Sequence, residues 1–250
     1  MCGRFVRKTS AAQVAEAFAA RVDTDELSLS FNVAPTSRVF AVVSESNTRS
    51  LVNFSWGLIP RWAQDSSRAA SMINARVETV AEKPSFRDLV SKNRCVLPMD
   101  GYFEWREQLR HDETKPMKSV KQPFYFSANL ESGFSHNGVL AVAGLWTSWK
   151  DPNQPNSQLL HTVVALTTNA NDMVGEIHHR MPVLLDEQGV DNWLDVNTQS
   201  PLVELEAVPN DALVVCAVST KVNSSRNNGS ELIEPVVLTQ TEPVDELKLF

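Results

Sequence analysis

The fold of this chain is constrained most by a series of short segments that are rich in β-branched and aromatic residues. Such segments favour β-strands, because branched and aromatic side chains pack well on a pleated surface. A polar Ser-Glu-Ser-Asn sequence separates the first two segments and predicts a hairpin. The predicted strands are 38–43, 50–56, 94–97, 101–106, 123–128, 139–146, 160–167 and 213–218.

Helices are predicted at only a few places. In 10–20, Val14 and Phe18 are four residues apart behind a Ser10 cap, which indicates an amphipathic helix. A Ser-Phe-Arg-Asp sequence resembles a capping box that opens a second helix. This second helix is short, at 85–90, and two further short helices are predicted at 171–177 and 190–196. Strands with a few helices between them predict an α+β domain with a mostly antiparallel sheet core.

The spacing of these segments predicts one domain, from residue 2 to about residue 238. Residues 107–122 are polar and aperiodic, so we predict a surface loop there, and a second loop at 148–157. No internal repeat and no linker long enough to divide domains is present in the sequence. The last residues, 239–250, are predicted to form a loosely held tail.

Composition excludes several classes of protein. The 250 residues are 42% apolar and 21% charged, as in ordinary globular proteins. No stretch approaches the roughly 20 apolar residues of a membrane span, and no signal peptide is recognisable, so a cytoplasmic protein is predicted. Three cysteines without close spacing argue against a disulfide framework or a zinc site. The net charge of −7 does not exclude binding to nucleic acid, because phosphates respond to the local field of a cleft.

The N-terminus offers an unusual reactive group. If Met1 is removed, Cys2 carries a free α-amine beside its thiol, with ordinary pKa values near ~8 and ~8.5. An aldehyde can condense with this amine, and the thiol can then close onto the imine carbon as a five-membered thiazolidine. The alternative is an incidental cysteine at a frayed terminus, since termini are usually mobile.

Two further positions suit proton transfer. Glu104 alternates with aromatic residues and shares a strand face with Tyr102, so desolvation is expected to raise its pKa. A solvated position on an edge strand is the alternative for Glu104. One imidazole of His178 and His179 can act as an acid or a base near neutrality. Because adjacent residues project differently, at most one of the two is expected to face a site, and a surface or structural role remains open for both.

Other side chains suit the binding of a polar, unpaired strand. Asn74 carries an amide that can orient a carbonyl or hydroxyl, or it can simply form a turn. Arg76 has the planar fork that matches a phosphate. Trp62 can stack on an unpaired base, although packing in a core is the commoner fate of tryptophan.

Six motifs in this order carry a resemblance to a known family: Met-Cys-Gly-Arg-Phe, Phe-Asn-Val-Ala-Pro, Trp-Gly-Leu-Ile-Pro-Arg-Trp, Ile-Asn-Ala-Arg-Val-Glu-Thr, Gly-Tyr-Phe-Glu-Trp and Ile-His-His-Arg-Met-Pro. From Cys2 to about Val236 the chain closely resembles the SRAP family of SOS-response-associated peptidases, or abasic-site processing proteins. The resemblance implies a barrel-like β core with peripheral helices.

The resemblance also implies a function in the DNA damage response. Such a protein binds single-stranded DNA at an abasic site and captures the ring-opened aldehyde through Cys2 as a thiazolidine crosslink, which protects the site. Autoproteolytic removal of Met1, which fits the family's peptidase (hydrolase) label, and a lyase activity are implied as further reactions. The expected protein is a cytoplasmic monomer that joins the nucleoid when bound to damaged DNA and needs no cofactor, metal or membrane.

The family's functional residues map onto positions that match its motifs. The resemblance makes Cys2 the nucleophile, Asn74 its orienting group, Glu104 the proton shuttle, and His178 an assistant in proton transfer and in crosslink reversal or strand scission. It assigns the DNA path to Arg4, Asn32, Pro35, Trp62, Arg76 and Arg180.

The sequence departs from the family pattern at two places, and two other functions remain as alternatives. The family commonly has aspartate where His179 stands, which leaves the partner of Arg180 undetermined, and the 107–122 segment looks longer than in compact bacterial members. One alternative is an N-terminal-cysteine amidohydrolase or peptidase acting on peptides, with Asn74 as an oxyanion donor. The other is a single-strand binding module without enzymatic activity, in which Cys2 would be dispensable.

Overall fold

The computed structural model of the chain describes residues 2–46, 48–112, 115–154, 156–198, 200–203, 205 and 208–238, without the side chains of 108–120. The predicted tail, 239–250, lies outside this description. The strands are β1 Arg4–Arg7, β2 Arg21–Val22, β3 Ser30–Val33, β4 Arg38–Glu45, β5 Thr48–Trp56, β6 Asn74–Arg76, β7 Arg94–Met99, β8 Gly101–Asp112, β9 Lys115–Ala128, β10 Leu140–Trp149, β11 Leu160–Asn169, β12 Arg180–Pro182, β13 Leu184–Leu185 and β14 Leu213–Ala217.

Four short α-helices lie among these strands in the described residues: α1 Ala11–Ala17, α2 Val77–Val80, α3 Asp172–Gly175 and α4 Glu187–Leu194. Single 3-10 turns occupy Ala69–Ser71, Asn210–Ala212, Thr220–Asn223 and Ser230–Ile233. The helix predicted behind Ser10 is confirmed, since the Ser10 and Gln13 side chains form the reciprocal bonds of a capping box. No helix in the described part of the chain combines the length and the apolar character that a membrane span requires.

The larger sheet closes on itself. Its main path is β12-β11-β10-β7-β4-β5-β2, and β11 also pairs with β5 in parallel, so that β4, β5, β7, β10 and β11 form a ring. Alternate residues of each strand face two different apolar clusters: Leu140 and Val142 lie in one, and Ala141 and Ala143 in the other. The mixed α+β fold and the barrel-like core are therefore confirmed.

The smaller sheet is antiparallel, in the order β14-β9-β8-β1-β3. Within it, β1 pairs with β8 through Arg4 opposite Phe103 and Phe5 opposite Tyr102. Because β1 and β8 are antiparallel, the residues that precede β1 approach those that follow Phe103. This pairing brings Cys2 close to Glu104, near the beginning of β8.

Several predictions of local structure are confirmed. The hairpin of β4 and β5 forms in full register from Arg38 opposite Ser55 to Glu45 opposite Thr48. The helix predicted at 171–177 is α3, capped by the Asn171 side chain. The helix predicted at 190–196 exists as α4 but begins earlier, because Asp186 caps it by accepting from the Gly189 N–H.

Two predictions were wrong. Residues 85–90 form successive turns instead of a helix, since Phe86 N–H bonds to Lys83 O and Leu89 N–H to Phe86 O, three residues back. In the described parts of the 107–122 segment, residues 107–112 and 115–122 continue the paired strands β8 and β9, with Glu107 opposite Lys121. Cross-strand backbone bonds need no apolar side chains, so a polar composition did not prevent pairing. The loop predicted at 148–157 begins only after Trp149, where β10 ends.

Candidate active site

The two sheets each supply part of one cluster of polar side chains. Cys2 precedes β1 and Glu104 lies on β8, so the smaller sheet carries both. Asn74 begins β6, which pairs with β11. His178 precedes β12, the strand that pairs with the end of β11. The candidate active site therefore lies where the N-terminus meets the two short strands attached to β11.

Cys2 is held in the interior by Asn74. The Asn74 Nδ2 donates to the Cys2 carbonyl oxygen at 2.8 Å, and the Cys2 thiol contacts Arg4 O at 3.8 Å. Cys2 is completely buried in the chain that still carries Met1. The bond from Asn74 reaches the carbonyl side of Cys2, which fixes the backbone that carries the α-nitrogen.

The Cys2 thiol is neutral near pH 7. Burial, and next the negative charge of Glu104, raise its pKa above that of an ordinary cysteine. Reactive cysteines that attack as thiolates lie in electropositive and partly exposed surroundings, which lower the pKa. Cys2 lies in the opposite environment, so it is not prepared to attack as a preformed thiolate.

Glu104 is a buried carboxyl group. Only 2% of its surface is exposed, and burial is the largest cause that raises its pKa. The structure thus excludes the solvated edge position that the sequence left open. A carboxyl group whose pKa is moved toward neutrality can both give and take a proton.

His178 lies beside Glu104, with its Nδ1 at 4.0 Å from Glu104 Oε1. The same Nδ1 lies 3.0 Å from the backbone nitrogen of Arg180 and 3.1 Å from its carbonyl oxygen, so the backbone of Arg180 holds the ring in place. Partial burial is the largest cause that lowers the pKa of His178. His179 stacks on this ring with centroids 4.5 Å apart and is itself exposed. His178 is therefore a neutral imidazole that faces Glu104.

Arg180 is buried, and both terminal nitrogens of its guanidinium are engaged in hydrogen bonds. It donates to the two Glu78 carboxylate oxygens at 2.6 and 2.9 Å, to Asn169 Oδ1 at 2.8 Å and to Thr167 O at 2.7 Å. The hydrogen bonds from Arg180 are the largest cause that lowers the pKa of Glu78. Glu78 is thus the partner that the sequence left undetermined. In this arrangement the fork is directed at protein groups and supports the backbone next to His178.

Arg4 and Asn32 are engaged in a similar way. Arg4 Nη1 donates to Asn32 Oδ1 at 2.8 Å. Asn32 is 4% exposed, and its Nδ2 donates to three carbonyl oxygens, those of Val222, Ser224 and Asn227. These bonds attach the 222–227 segment to β3. Asn32 is therefore buried, and the half-buried Arg4 is bonded to it.

The remaining residues predicted for the DNA path are more accessible. Trp62 is 64% exposed, Arg76 is exposed and Pro35 is half-buried. Trp62 borders a cavity of about 460 Å³ that reaches Asn74. Arg68 and Lys83 line the same cavity, so an indole and two cations lie on this side of the candidate site.

A second cavity, of about 520 Å³, opens on Glu104 and His178. Trp105, Lys121 and Asn223 complete its lining, and the sequence analysis named none of the three as a site residue. Trp105 ends the Gly-Tyr-Phe-Glu-Trp motif, so the sequence did contain an indication for it. Lys121 was not considered as a site residue because the 107–122 segment was interpreted as a surface loop.

Tyr102 is a further residue that was not predicted as functional. It is completely buried and stacks on Phe126 with centroids 4.9 Å apart. Its hydroxyl has no hydrogen-bond partner among the described residues. Burial, then the charges of Cys2 and Glu104, raise its pKa well above the ordinary tyrosine value. The phenol therefore lies within electrostatic range of the reactive cluster.

Comparison with known proteins gives a consistent family. The model of the family described as SOS response associated peptidase (SRAP) matches residues 1–225. The abasic site processing protein YoqW of Bacillus subtilis (strain 168) is 35% identical over 241 residues, which cover 94% of this chain and 99% of YoqW. The abasic site processing protein HMCES of Xenopus tropicalis is 31% identical over 245 residues, covering 87% of this chain and 69% of HMCES. A crystal structure of a Bacteroides thetaiotaomicron protein, 23% identical, has the same fold, with a TM-score of 0.78 and coverage of 94% of this chain and 100% of that chain.

Proposed function

This chain belongs to the SOS response associated peptidase (SRAP) family, and on that premise we propose that it captures abasic sites in single-stranded DNA as a covalent crosslink through Cys2. The relatives named above support abasic-site processing in general. The convergence of Cys2, Asn74, Glu104 and His178 at the junction of the two sheets is the observation that carries the finer proposal.

The first half of the reaction is imine formation. Hydrolysis of the bond between Met1 and Cys2 frees the α-amine, which adds to the aldehyde carbon of the ring-opened abasic sugar. The resulting carbinolamine must lose its hydroxyl group as water, and this oxygen needs a proton. Glu104, whose pKa is raised by burial, is the carboxyl group that we assign to donate a proton to the leaving oxygen.

The second half is ring closure. The Cys2 sulfur adds to the iminium carbon, a C–S bond forms as the electron pair of the C=N π bond moves to nitrogen, and the thiol proton passes to the Glu104 carboxylate, which becomes a carboxylic acid again. The sum is one aldehyde and one aminothiol giving one thiazolidine and one water. A neutral thiol suits this order, because its raised pKa favours release of the proton only as the C–S bond forms.

His178 supports Glu104 in this scheme. Its Nδ1 is held by the Arg180 N–H at 3.0 Å, so the ring is fixed next to the carboxyl group. As a neutral imidazole it can take or return a proton when the crosslink reverses. We assign it the same role in a lyase reaction, in which a base removes a proton next to the imine carbon.

The surroundings of the cluster favour DNA over a peptide substrate. Trp62 and Arg68 line the cavity on the Asn74 side, and Arg76 is exposed at the end of β6. Stacking indoles and positive charges are the groups that bind an unpaired, phosphate-linked strand. Arg4, Asn32 and Arg180 then act as supports of the DNA path beneath its surface.

Removal of Met1 is a separate step of the proposal. The Asn74 amide binds the Cys2 carbonyl, and Cys2 is the residue that follows the bond to be hydrolysed, so self-processing at this site would explain the peptidase name of the family. The intact mass of purified Glu104→Gln protein checks this step. Retention of Met1 in this variant, but not in the parent chain, is expected; complete removal in both would assign processing to a host aminopeptidase.

The experiment that tests the function uses single-stranded DNA with one abasic site and a denaturing gel. We expect a covalent band with the Met1-free protein and no band with Cys2→Ala. A control oligonucleotide with a tetrahydrofuran analogue, which has no aldehyde, must also give no band. Absence of a band from protein that has lost Met1 contradicts the proposal, and cleavage of a peptide panel by the same protein would favour the amidohydrolase alternative.

A further inference from the structure

We propose that the Tyr102 hydroxyl is a further catalytic group of this site, which donates a hydrogen bond to the Cys2 sulfur while the thiazolidine ring closes. This inference rests on the proposed function and concerns the second half of its reaction. It adds a hydrogen-bond donor for the sulfur to a set of groups that orient Cys2 or transfer protons.

The Tyr102 hydroxyl is buried without a hydrogen bond. The residue is completely buried, and its oxygen has no partner among the described residues. The ring stacks on Phe126 with 4.9 Å between centroids and 7° between planes, and a phenylalanine ring would make the same contact. Because a buried hydroxyl without a partner costs stability, such groups are rare in folded proteins. Packing alone therefore does not account for the hydroxyl.

Strand pairing and burial bring Tyr102 to the reactive cluster. Tyr102 pairs with Phe5 of β1, three residues after Cys2, and Glu104 lies two residues further along β8, on the same face as Tyr102. Cys2 and Tyr102 belong to the same buried cluster of side chains. Burial, followed by the charges of Cys2 and then of Glu104, raises the pKa of Tyr102. The hydroxyl is therefore close enough to feel the charge of the sulfur.

The Cys2 sulfur needs a donor during ring closure. In the structure its thiol contacts the carbonyl oxygen of Arg4 at 3.8 Å, and a carbonyl oxygen only accepts hydrogen bonds. As the thiol proton leaves, negative charge develops on the sulfur, which burial and the charge of Glu104 disfavour. A donor that is already in place where charge develops offsets this cost. The unpaired hydroxyl of Tyr102 and the sulfur without a donor complement each other.

Removal of Met1 lets the sulfur meet the hydroxyl. Once that bond is hydrolysed, Asn74 still holds the Cys2 carbonyl at 2.8 Å, and the side chain can turn away from Arg4 O. The hydroxyl keeps its proton, since the pKa of Tyr102 lies well above the ordinary tyrosine value. The balance of the step is thus unchanged: the thiol proton passes to Glu104, and the electron pair of the C=N π bond moves to nitrogen.

The test measures how the iminium intermediate partitions. Met1-free protein and the abasic oligonucleotide are mixed with cyanoborohydride, which reduces the iminium to a secondary amine. Alkylation of free sulfur then distinguishes this amine adduct from the thiazolidine by mass, and their ratio at early times reports ring closure alone. We expect Tyr102→Phe to shift the ratio about 10- to 100-fold towards the reduced amine, as for the loss of one hydrogen bond to a charged group.

Tyr125→Phe is the matched control. It removes the same atom from the other of the two tyrosines of the chain, whose hydroxyl already donates to Asp100 O at 2.8 Å. This variant is expected to keep the parent ratio. In Tyr102→Phe, total capture in the presence of the reductant and affinity for the tetrahydrofuran oligonucleotide should stay at the parent values, because the hydroxyl acts after the iminium has formed.

A stronger donor should have the opposite effect. Production of Tyr125→Phe with 3-fluorotyrosine labels Tyr102 alone, because the chain has two tyrosines. The fluorinated phenol is more acidic and donates a stronger hydrogen bond. We therefore expect the labelled protein to form more thiazolidine relative to the reduced amine than unlabelled Tyr125→Phe, and a shift towards the amine would contradict the role of a donor.

The outcomes separate this inference from the proposed function. If the parent forms the Cys2-dependent adduct and Tyr102→Phe keeps the parent ratio, the inference is wrong and the crosslinking function stands. Slower total capture with an unchanged ratio also overturns the inference, because the hydroxyl would then assist Glu104 in iminium formation. If the parent forms neither adduct, the proposed function fails and the inference fails with it. Tyr102→Phe removes an oxygen that makes no hydrogen bond to the described residues, so the variant is expected to fold.

Discussion

Replacement of Arg180 by glutamine separates a supporting arginine from one that binds DNA. The guanidinium makes four hydrogen bonds of 2.6 to 2.9 Å, two of them to Glu78. Breaking a fully buried ion pair costs about 3–5 kcal/mol. The Glu78 side chain is 40% exposed and can be rehydrated after the change, so we expect a loss of about 2–3 kcal/mol in the free energy of unfolding.

The assay combines urea unfolding with the salt dependence of binding to the unreactive abasic oligonucleotide. Because Glu78 already neutralises Arg180, the slope of log K against log salt is expected to stay at the parent value. Crosslinking should slow, since the backbone N–H of residue 180 holds the His178 ring. Arg76→Gln is the matched control: this exposed arginine should lower the slope by about 0.7 and leave the stability within about 0.5 kcal/mol.

The opposite result would refute this reasoning. Suppose that Arg180→Gln lowers the slope of log K against log salt as Arg76→Gln does, and that it unfolds at the same urea concentration as the parent. Arg180 would then contact phosphate in the complex. Its pairing with Glu78 would then have to open when DNA binds.

The remaining predictions concern the reactive cluster. Tyr102→Phe removes a buried hydroxyl that has no hydrogen-bond partner among the described residues, so it should raise the free energy of unfolding by about 1 kcal/mol. Tyr125→Phe loses a 2.8 Å bond to Asp100 O and should lower the free energy of unfolding by about as much. A change of the same sign in both variants, measured by chemical denaturation, would contradict the different hydrogen bonding of the two hydroxyls. Cys2→Ser should give no heat-stable adduct on a denaturing gel, because the oxazolidine that it can form hydrolyses readily. Burial raises the pKa of Glu104, so above the ordinary glutamate pKa the folded protein binds this proton more tightly than the unfolded chain, and the free energy of unfolding should fall as pH rises. This dependence on pH should be absent from Glu104→Gln. If urea titrations of the two proteins give the same change of stability with pH, the pKa of Glu104 is not raised. Glu104→Gln protein from which an added aminopeptidase has removed Met1 should crosslink more slowly, with DNA affinity little changed, which timed gels and binding titrations measure.

Sequence alone was sufficient for the β-rich architecture and for selecting residues that the structure places in one cluster. Cys2, Asn74 and Glu104 were selected by residue chemistry and by the motifs around them, and the structure brings them together. Their mutual geometry depends on the register of β1 against β8, which local patterns do not encode. The sequence pattern therefore predicted which residues form the cluster, but the contacts between them depend on the fold.

The functions of the charged residues were harder to predict. Arg180 and Asn32 both suit phosphate or sugar binding by type, yet each is buried and bonded to protein groups far away in the sequence. The Glu78 partner of Arg180 lies 102 positions earlier in the chain, beyond the reach of local reasoning. Lys121 shows the converse error, because a polar strand of a hairpin was interpreted as a loop and its cation was not considered.

Mass spectrometry of the adduct tests the central claim most directly. The Met1-free protein is incubated with the abasic oligonucleotide, denatured, treated with iodoacetamide and digested. The account predicts an intact adduct whose mass equals the sum of both components less one water, attached at Cys2, with a Cys2 sulfur that no longer takes the alkyl group. Attachment at another residue, or a Cys2 sulfur that is still alkylated within the adduct, would contradict capture as a thiazolidine.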